Sequence, residues 1–583
     1  MKNIAPPHAS SLKVLLLGLS LQVLALPLFG QTYTYTPTSS TTSWNTAGNW
    51  SPATVPDAAG VTAVLQAPTA AGATTQITAT TIDLGHLQVT TGSSSSYDWA
   101  ITGPSGGVLN WDTSSGLPSI TLNAAAANRY VNLAVAMTGT KTLEIFSTGS
   151  ANGAVFFTGN NSGFTGGFKL NTTTAMSLIF TAANTLGSNT VEIAQGNHSL
   201  RLGTGSGTTT LTGNFNMSGG GNQIFYSNAS AGGTVILSGT ISGSGNASFT
   251  KYSGGDMELQ GTNTYTGNTT IYSDMKLTFN NVNNFGTGGS ILFSPTGGSP
   301  TLIWAAGNTG DLTKKGDNTA RTVNLQNAYV TLNTGTNNVE FANAVTSTNT
   351  GTAGIIKRGT GVLTLKAANT YYGNTTVTEG TLLINNSTGS GSGYSAVTTG
   401  SGATLGGTGI IKPGGTNAVL IQTDGILAAG DPAANNGVGT LTLDLTTTTG
   451  NATFQNASIV NVDLGNALAS DKITLLGTGA GRMVFSGTTK IRLFDKSSGG
   501  LTLGDYTLFS ATNAASYSGL TVNMANEITG GLTIDQGISG YTGILKLNGG
   551  DIILTLVPEP GTVVLLGLAS AMMLFRRRRS FRA

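Results

Sequence analysis

Five aspartates, Asp424, Asp431, Asp444, Asp463 and Asp471, form the densest acidic stretch of a 583-residue chain. Paired carboxylates at a set separation hydrolyse glycosidic bonds, one protonating the leaving oxygen while the other attacks or activates water. If the strands that carry them stack, residues one turn apart lie side by side. Against that, Asp431-Pro432 reads as turn chemistry, and the expectation is of isolated, solvated turn and strand aspartates. Trp44 and Trp50, six residues apart around a turn, offer a sugar-stacking pair; the plainer reading is an aromatic plug over the first layer of a β stack. Trp304 with nearby tyrosines is a further stacking candidate. Metal and triad chemistry have little to work with. The three histidines, His8, His86 and His198, are isolated and no HExxH occurs. There is no Cys, which excludes disulfides and thiolate zinc sites. Calcium repeats need a regular run of aspartates that is missing here. No phosphate-binding glycine loop is present, since Gly219-Gly220-Gly221 does not lead from a strand into a helix. The sequence points to no catalytic residue, cofactor or metal.

The elements that would position such residues are clearest at Ile355–Asn386. Val362–Lys366 and Thr376–Ile384 alternate in polarity around a turn, which places Leu363 and Leu365, and Leu382 and Ile384, on one face each. The text recurs at Phe249–Asn281: Asn369-Thr370-Tyr371-Tyr372-Gly373-Asn374-Thr375-Thr376-Val377 matches Asn263-Thr264-Tyr265-Thr266-Gly267-Asn268-Thr269-Thr270-Ile271. Lys357, Gly361 and Leu365 match Lys251, Gly255 and Leu259 at the same offset. A unit this small cannot bury its apolar face alone, so neighbours must stack on it. Lys357, Lys366 and Glu379 are expected as surface charges, Asn369 and Asn374 as polar ladders, and Tyr371 as stacking on its equivalents.

Composition agrees. Only 9 % of residues are charged and 84 are Gly, against roughly a quarter charged and about 7 % Gly in an average chain. Abundant Thr, Val, Ile and Leu argue against disorder and for an all-β protein with many turns. The net charge of +2 is a property of the ends. Between them lie 19 basic and 23 acidic residues, a formal charge of −4 with no basic face for nucleic acid.

The expected organisation has four parts. Residues 1–30 read as a secretory signal, with Lys2 and Lys13 before the apolar run Val14–Leu26. Residues 31–440 form a stacked β body with clear repeats at 249–281 and 355–386. Residues 441–556 form its less regular C-terminal part. Residues 557–583 begin at Pro558-Glu559-Pro560, expected to end all regular structure. They continue through the apolar Gly561–Phe575 to Arg576, Arg577, Arg578 and Arg579. Fifteen helical residues span about 22 Å, short of a ~30 Å hydrocarbon core, and the arginines extend that reach by snorkelling. The expectation is a short transmembrane helix retained at its basic end.

Two resemblances follow. The segment Val557-Pro558-Glu559-Pro560-Gly561, apolar run and Arg cluster resembles the PEP-CTERM sorting signal of certain Gram-negative bacteria. It implies processing near Pro558, Glu559 and Pro560 by an exosortase-type membrane enzyme, and delivery to the envelope or an exopolysaccharide matrix. The body resembles the autotransporter-associated β-strand repeat, through Gly361-Val362-Leu363-Thr364-Leu365, Asn369-Thr370-Tyr371 and Gly380-Thr381-Leu382. That likeness implies a right-handed parallel β-helix (β-solenoid) of the passenger type. The sequence ends without the ten-residue alternating strands of an outer-membrane barrel, so self-secretion is not expected. Coils of roughly 20–25 residues at ~4.8 Å each give a rod on the order of 100 Å. Three functional readings follow: a non-enzymatic, adhesin-like structural protein associated with exopolysaccharide, a polysaccharide lyase or glycosidase on the same fold, or a carbohydrate-binding surface protein that uses Trp44 and Trp50.

Overall fold

Alternating sequence becomes stacked strand. The computed structural model describes residues 30–559 except 37–40, 68–72, 92–98, 125–128, 150–151, 273, 294–298, 328, 349–352, 417, 434 and 480–481. The signal expected at 1–30 lies almost wholly outside them. So do Pro560, the apolar run and Arg576–Arg579. Among the described residues no helix is long and apolar enough to cross a membrane. The architecture is all-β: three 13-stranded sheets, one of eight strands, one of six and one of two. Their ladders are overwhelmingly parallel, with consecutive neighbours about one coil apart in sequence, the arrangement of a β-solenoid. Thirteen strands at ~4.8 Å extend one such sheet about 60 Å along the axis.

The repeat is one such coil. Ile355–Arg358 lies parallel between Val330–Asn333 and Thr375–Val377, and Val362–Leu365 between Val339–Phe341 and Thr381–Ile384. The strand expected over Thr376–Ile384 is therefore two strands in two sheets. The chain turns between them because Gly380 takes φ +66°, where a Cβ would come within 2.3 Å of the Gly359 carbonyl oxygen. Leu363 sits opposite Leu382, and Leu365 opposite Ile384, all of them buried. Burying a leucine or isoleucine contributes about 1.5–3 kcal/mol, and each coil repeats the contribution.

Polar corner residues tie the coils together by a different route from the amide stacks expected. Asn369 is 5 % exposed. Its Oδ1 accepts from the Val345 amide at 2.7 Å in the preceding coil, and its Nδ2 donates to the Gly391 carbonyl at 2.5 Å in the next. Asn263 repeats both bonds, to Ile241 and Asn284. Backbone groups that a corner removes from the ladder are thus paired. Tyr371 is buried and its hydroxyl bonds to Thr375 Oγ1 at 2.6 Å; Tyr265 does the same with Thr269.

The ends differ from the middle. At the N-terminal end Thr32–Tyr35 pairs in parallel with Ala58–Leu65 and antiparallel with Trp50–Ser51. From Ile421 on the coils lengthen: Ile421 faces Phe454, and Phe454 faces Phe485. Each of those steps takes far more chain than the one from Lys357 to its partner Val377. The last strand, Asp551–Pro558, runs antiparallel to Gly504–Ser510 and to Tyr541–Asn548. Pro558 is part of it, opposite Tyr541, and the Glu559 amide donates to the Gly540 carbonyl. The break expected at Pro558 thus falls later, because a proline at a strand end removes a donor the ladder does not need.

Candidate carboxylate cleft

Of the five aspartates, the fold brings two together. Asp463 lies on Ile459–Leu464, in the eight-stranded sheet. Asp471 directly precedes Lys472–Leu476, in the six-stranded sheet. The intervening turn passes through Ala467 and Leu468 at φ +54° and +63° and brings the chain back on itself. The Asp471 amide donates to the Asp463 carbonyl at 2.8 Å. The two side chains line a cleft of about 280 Å³ with Asn461, Phe494, Leu383 and Lys496.

The electrostatics are those of carboxylates taken out of water. Asp471 is 3 % exposed. Burial, with the neighbouring Asp463 charge, pushes its carboxyl up to about 8, against two backbone amides and Lys496. Burial also raises Asp463, opposed by Lys496 Nζ at 3.9 Å. Both Asp471 oxygens are engaged: Oδ1 accepts from the Gly439 amide at 2.9 Å and Oδ2 from the Asp463 amide at 3.0 Å. Gly430 packs so close that a Cβ there would meet Asp471 Oδ1 at 2.7 Å and the Gly437 carbonyl at 1.7 Å. Two-carboxylate hydrolysis needs both groups to reach the substrate. Asp471 instead latches a corner of the coil, and Asp463 is the acid of the pair that faces a cation, Lys496.

The other aspartates do local work. Asp431 accepts from Asn385 Nδ2 at 2.7 Å and from the Ala433 amide, the turn expected of Asp-Pro. Asp444 pairs with Lys412 Nζ at 2.7 Å, and Asp424 sits at φ +57° in a turn. His198 is 2 % exposed, its Nδ1 accepting from the Met176 amide and its Nε2 contacting the Gln195 carbonyl, and burial lowers its pKa. His86 meets Ser119 Oγ at 2.8 Å. No group of His, Cys, Asp or Glu among the described residues could hold a metal ion.

Trp44 and Trp50 do not form a sugar platform. They are 0 and 2 % exposed, packed edge-on at 4.7 Å, with Tyr35 4.6 Å from Trp50. The Trp50 indole donates to the Trp44 carbonyl. Apolar rings at the first coil are worth more covering the stack than facing water. Trp304 is likewise buried. Lys357 also departs from expectation. It is fully buried, its Nζ donating to the carbonyls of Arg358 at 2.9 Å, Gly359 at 2.8 Å and Glu379 at 3.2 Å. Burial pushes its ammonium down to about 8, with Glu379 opposing. Lys366 and Glu379 are on the surface as expected, Lys366 paired with Glu340. Alternation places Lys357 among the inward positions of Ile355–Arg358, where neighbouring carbonyls take up its ammonium hydrogens.

Fold and corners together define a stacked-coil repeat protein. Residues 249–273 and 355–384 match the passenger-associated-transport repeat. The chain is also similar to the adhesin BmaC autotransporter of Brucella suis biovar 1 (strain 1330), 29 % identical over 343 residues. That match covers 56 % of this chain and 9 % of the adhesin, so the chain spans a small fraction of its relative's length. Both repeat matches fall on coils whose corner Asn bridges three turns of the stack.

Proposed function

We propose that the protein is an exported, non-enzymatic, adhesin-like repeat protein of a Gram-negative cell surface or extracellular matrix, associated with exopolysaccharide. The observation that carries this reading is the pair of passenger repeats seated as ordinary coils within the stack. A rod of self-similar coils presents Thr, Ser and Asn side chains at regular intervals, which suits many weak contacts summed along its length. The similarity to an adhesin autotransporter supports the same reading. Pro558, Glu559, Pro560 and the Arg576–Arg579 cluster act as an address, read by an exosortase-type enzyme after Sec export, with the C-terminal segment holding the chain at the membrane until processing.

Three experiments test it. Cells displaying the full chain should retain exopolysaccharide and adhere better than cells without it; equal adhesion refutes the reading. Glu559→Ala should shift the mature protein's size or cell fraction, and an unchanged product rules out processing at that motif. Release of reducing ends from matrix polysaccharide, abolished by Asp463→Asn, would replace the structural role with an enzymatic one.

A further inference from the structure

Trp44 and Trp50, the sugar-stacking candidates, are buried, and exposed rings stand elsewhere. Alternation at Tyr371-Tyr372 sends Tyr371 into the core and leaves Tyr372 36 % exposed. Tyr394 stands beside it one coil on, 48 % exposed, its amide donating to the Tyr371 carbonyl at 2.9 Å. The two ring centroids are 5.6 Å apart, with planes inclined by 52°. Tyr394 lies in turn over Gly414 of the following coil, where a Cβ would come within 2.2 Å of the ring. The glycine is what lets the ring lie down along the rod.

The rings border a cleft of about 390 Å³ that crosses four coils and is edged by Thr370, Ser390, Lys412 and Thr447. Ligand pockets span roughly 300–1,000 Å³ with mostly apolar walls and few polar groups. The single cation, Lys412, is already neutralised by Asp444 at 2.7 Å. By contrast the exposed Tyr252 has its face taken by the Arg201 guanidinium, 3.9 Å from the centroid.

We propose that this cleft binds a neutral, extended hexose chain lying along the rod, with pyranose C–H faces on Tyr372 and Tyr394 and sugar hydroxyls at Thr370 and Thr447. The ring spacing follows from the coil repeat, so the two rings succeed one another along the rod. Flat amphipathic rings with polar neighbours suit the flat, amphipathic face of a sugar. Charge already balanced at Lys412 selects against an anionic polymer. The inference rests on the exopolysaccharide reading and names the ligand class for it.

The test is isothermal titration of the full chain with cellohexaose and with a hexameric oligogalacturonate. Cellohexaose should bind and the acidic oligomer should bind at least about tenfold more weakly. Tyr372→Ala and Tyr394→Ala should each weaken cellohexaose binding about tenfold, the scale of an anchoring aromatic. Tyr394→Phe, which keeps the ring, should retain affinity within about twofold. Because both side chains are partly exposed, the alanine variants should still unfold cooperatively with a modestly lowered thermal midpoint, while Tyr394→Phe leaves it unchanged. Absence of cellohexaose binding, preference for the acidic oligomer, or full affinity in both alanine variants overturns the site. Adhesion by displayed chain that persists in the alanine variants while oligosaccharide binding is lost leaves the surface role standing; loss of displayed adhesion in a chain that still binds cellohexaose refutes the surface role instead.

Discussion

The coils around Ile355–Asn386 and those beyond Ile421 stack by the same ladders but close their corners differently. In the first, the short step from Lys357 to Val377 completes a turn, and a buried Asn fastens each corner to the coils before and after. In the second, the longer steps from Ile421 to Phe454 and from Phe454 to Phe485 complete it. The extra chain leaves the ladder as a loop and returns through a buried carboxylate, Asp471, latched to two amides. A neutral amide carries a donor and an acceptor and satisfies both neighbouring coils at once. The Asp471 carboxyl oxygens only accept here, one from the Asp463 amide of its own turn and one from the Gly439 amide of the preceding coil, so it donates nothing onward and places a titratable group in a dry corner. The short coil is therefore insensitive to pH at its Asn corner, and the long one is sensitive at its Asp corner.

Three outcomes would break or sharpen this contrast. The largest is expected from Asn369→Ala, which strands the Val345 amide and the Gly391 carbonyl in the core. It should cost about 2–4 kcal/mol and lower the urea midpoint accordingly. A loss below about 1 kcal/mol, the net worth of one ordinary hydrogen bond, would mean the corner Asn is not the fastener.

The second is a pair of opposite pH slopes. Folded Asp471 keeps its proton up to about 8, whereas the unfolded chain releases it in the ordinary carboxylate range. Across that window the folded state binds more protons, so stability falls as pH rises. Lys357 is pushed down to about 8 in the fold, while the unfolded chain stays protonated to about 10.5. Across that window the unfolded state binds more protons, so stability climbs with pH. Urea midpoints should pass through a minimum near pH 8. Asp471→Asn should flatten the acid limb and Lys357→Met the alkaline limb; a limb that survives its own substitution assigns it to another group.

The smallest effect is expected at Asn466, in the long loop, whose side chain bonds Ser498 at the exposed surface. Asn466→Ala should change stability by no more than about 0.5 kcal/mol. A loss comparable to that of Asn369→Ala would erase the difference between the two kinds of coil.

Alternation and repetition made the inward set Leu363, Leu365, Leu382 and Ile384 legible, along with the stacking of like units. The two-sheet split at Gly380 was not legible, because it depends on a carbonyl from the neighbouring coil occupying the space a Cβ would need. Trp44 and Trp50 are buried as the aromatic-plug reading has it, but their edge-on packing with Tyr35 depends on the fold of the first coil. Tyr372 and Tyr394 carry a weak signal, a doublet and a later lone tyrosine, which becomes a pair only once the coil length is known.

Lys251 and Lys357 mark the boundary most plainly. They occupy the same offset of the same repeat. Lys251 meets Asp256 at 3.0 Å near the surface, while Lys357 is sealed among three carbonyls. Local residue choice determined that both segments form coils, because the backbone ladder and the apolar alternation are written into every unit. Only the tertiary structure decided which charge is dry and which aspartates or rings meet. Those distances are set by residues a full coil away, and the length of a coil changes along the stack.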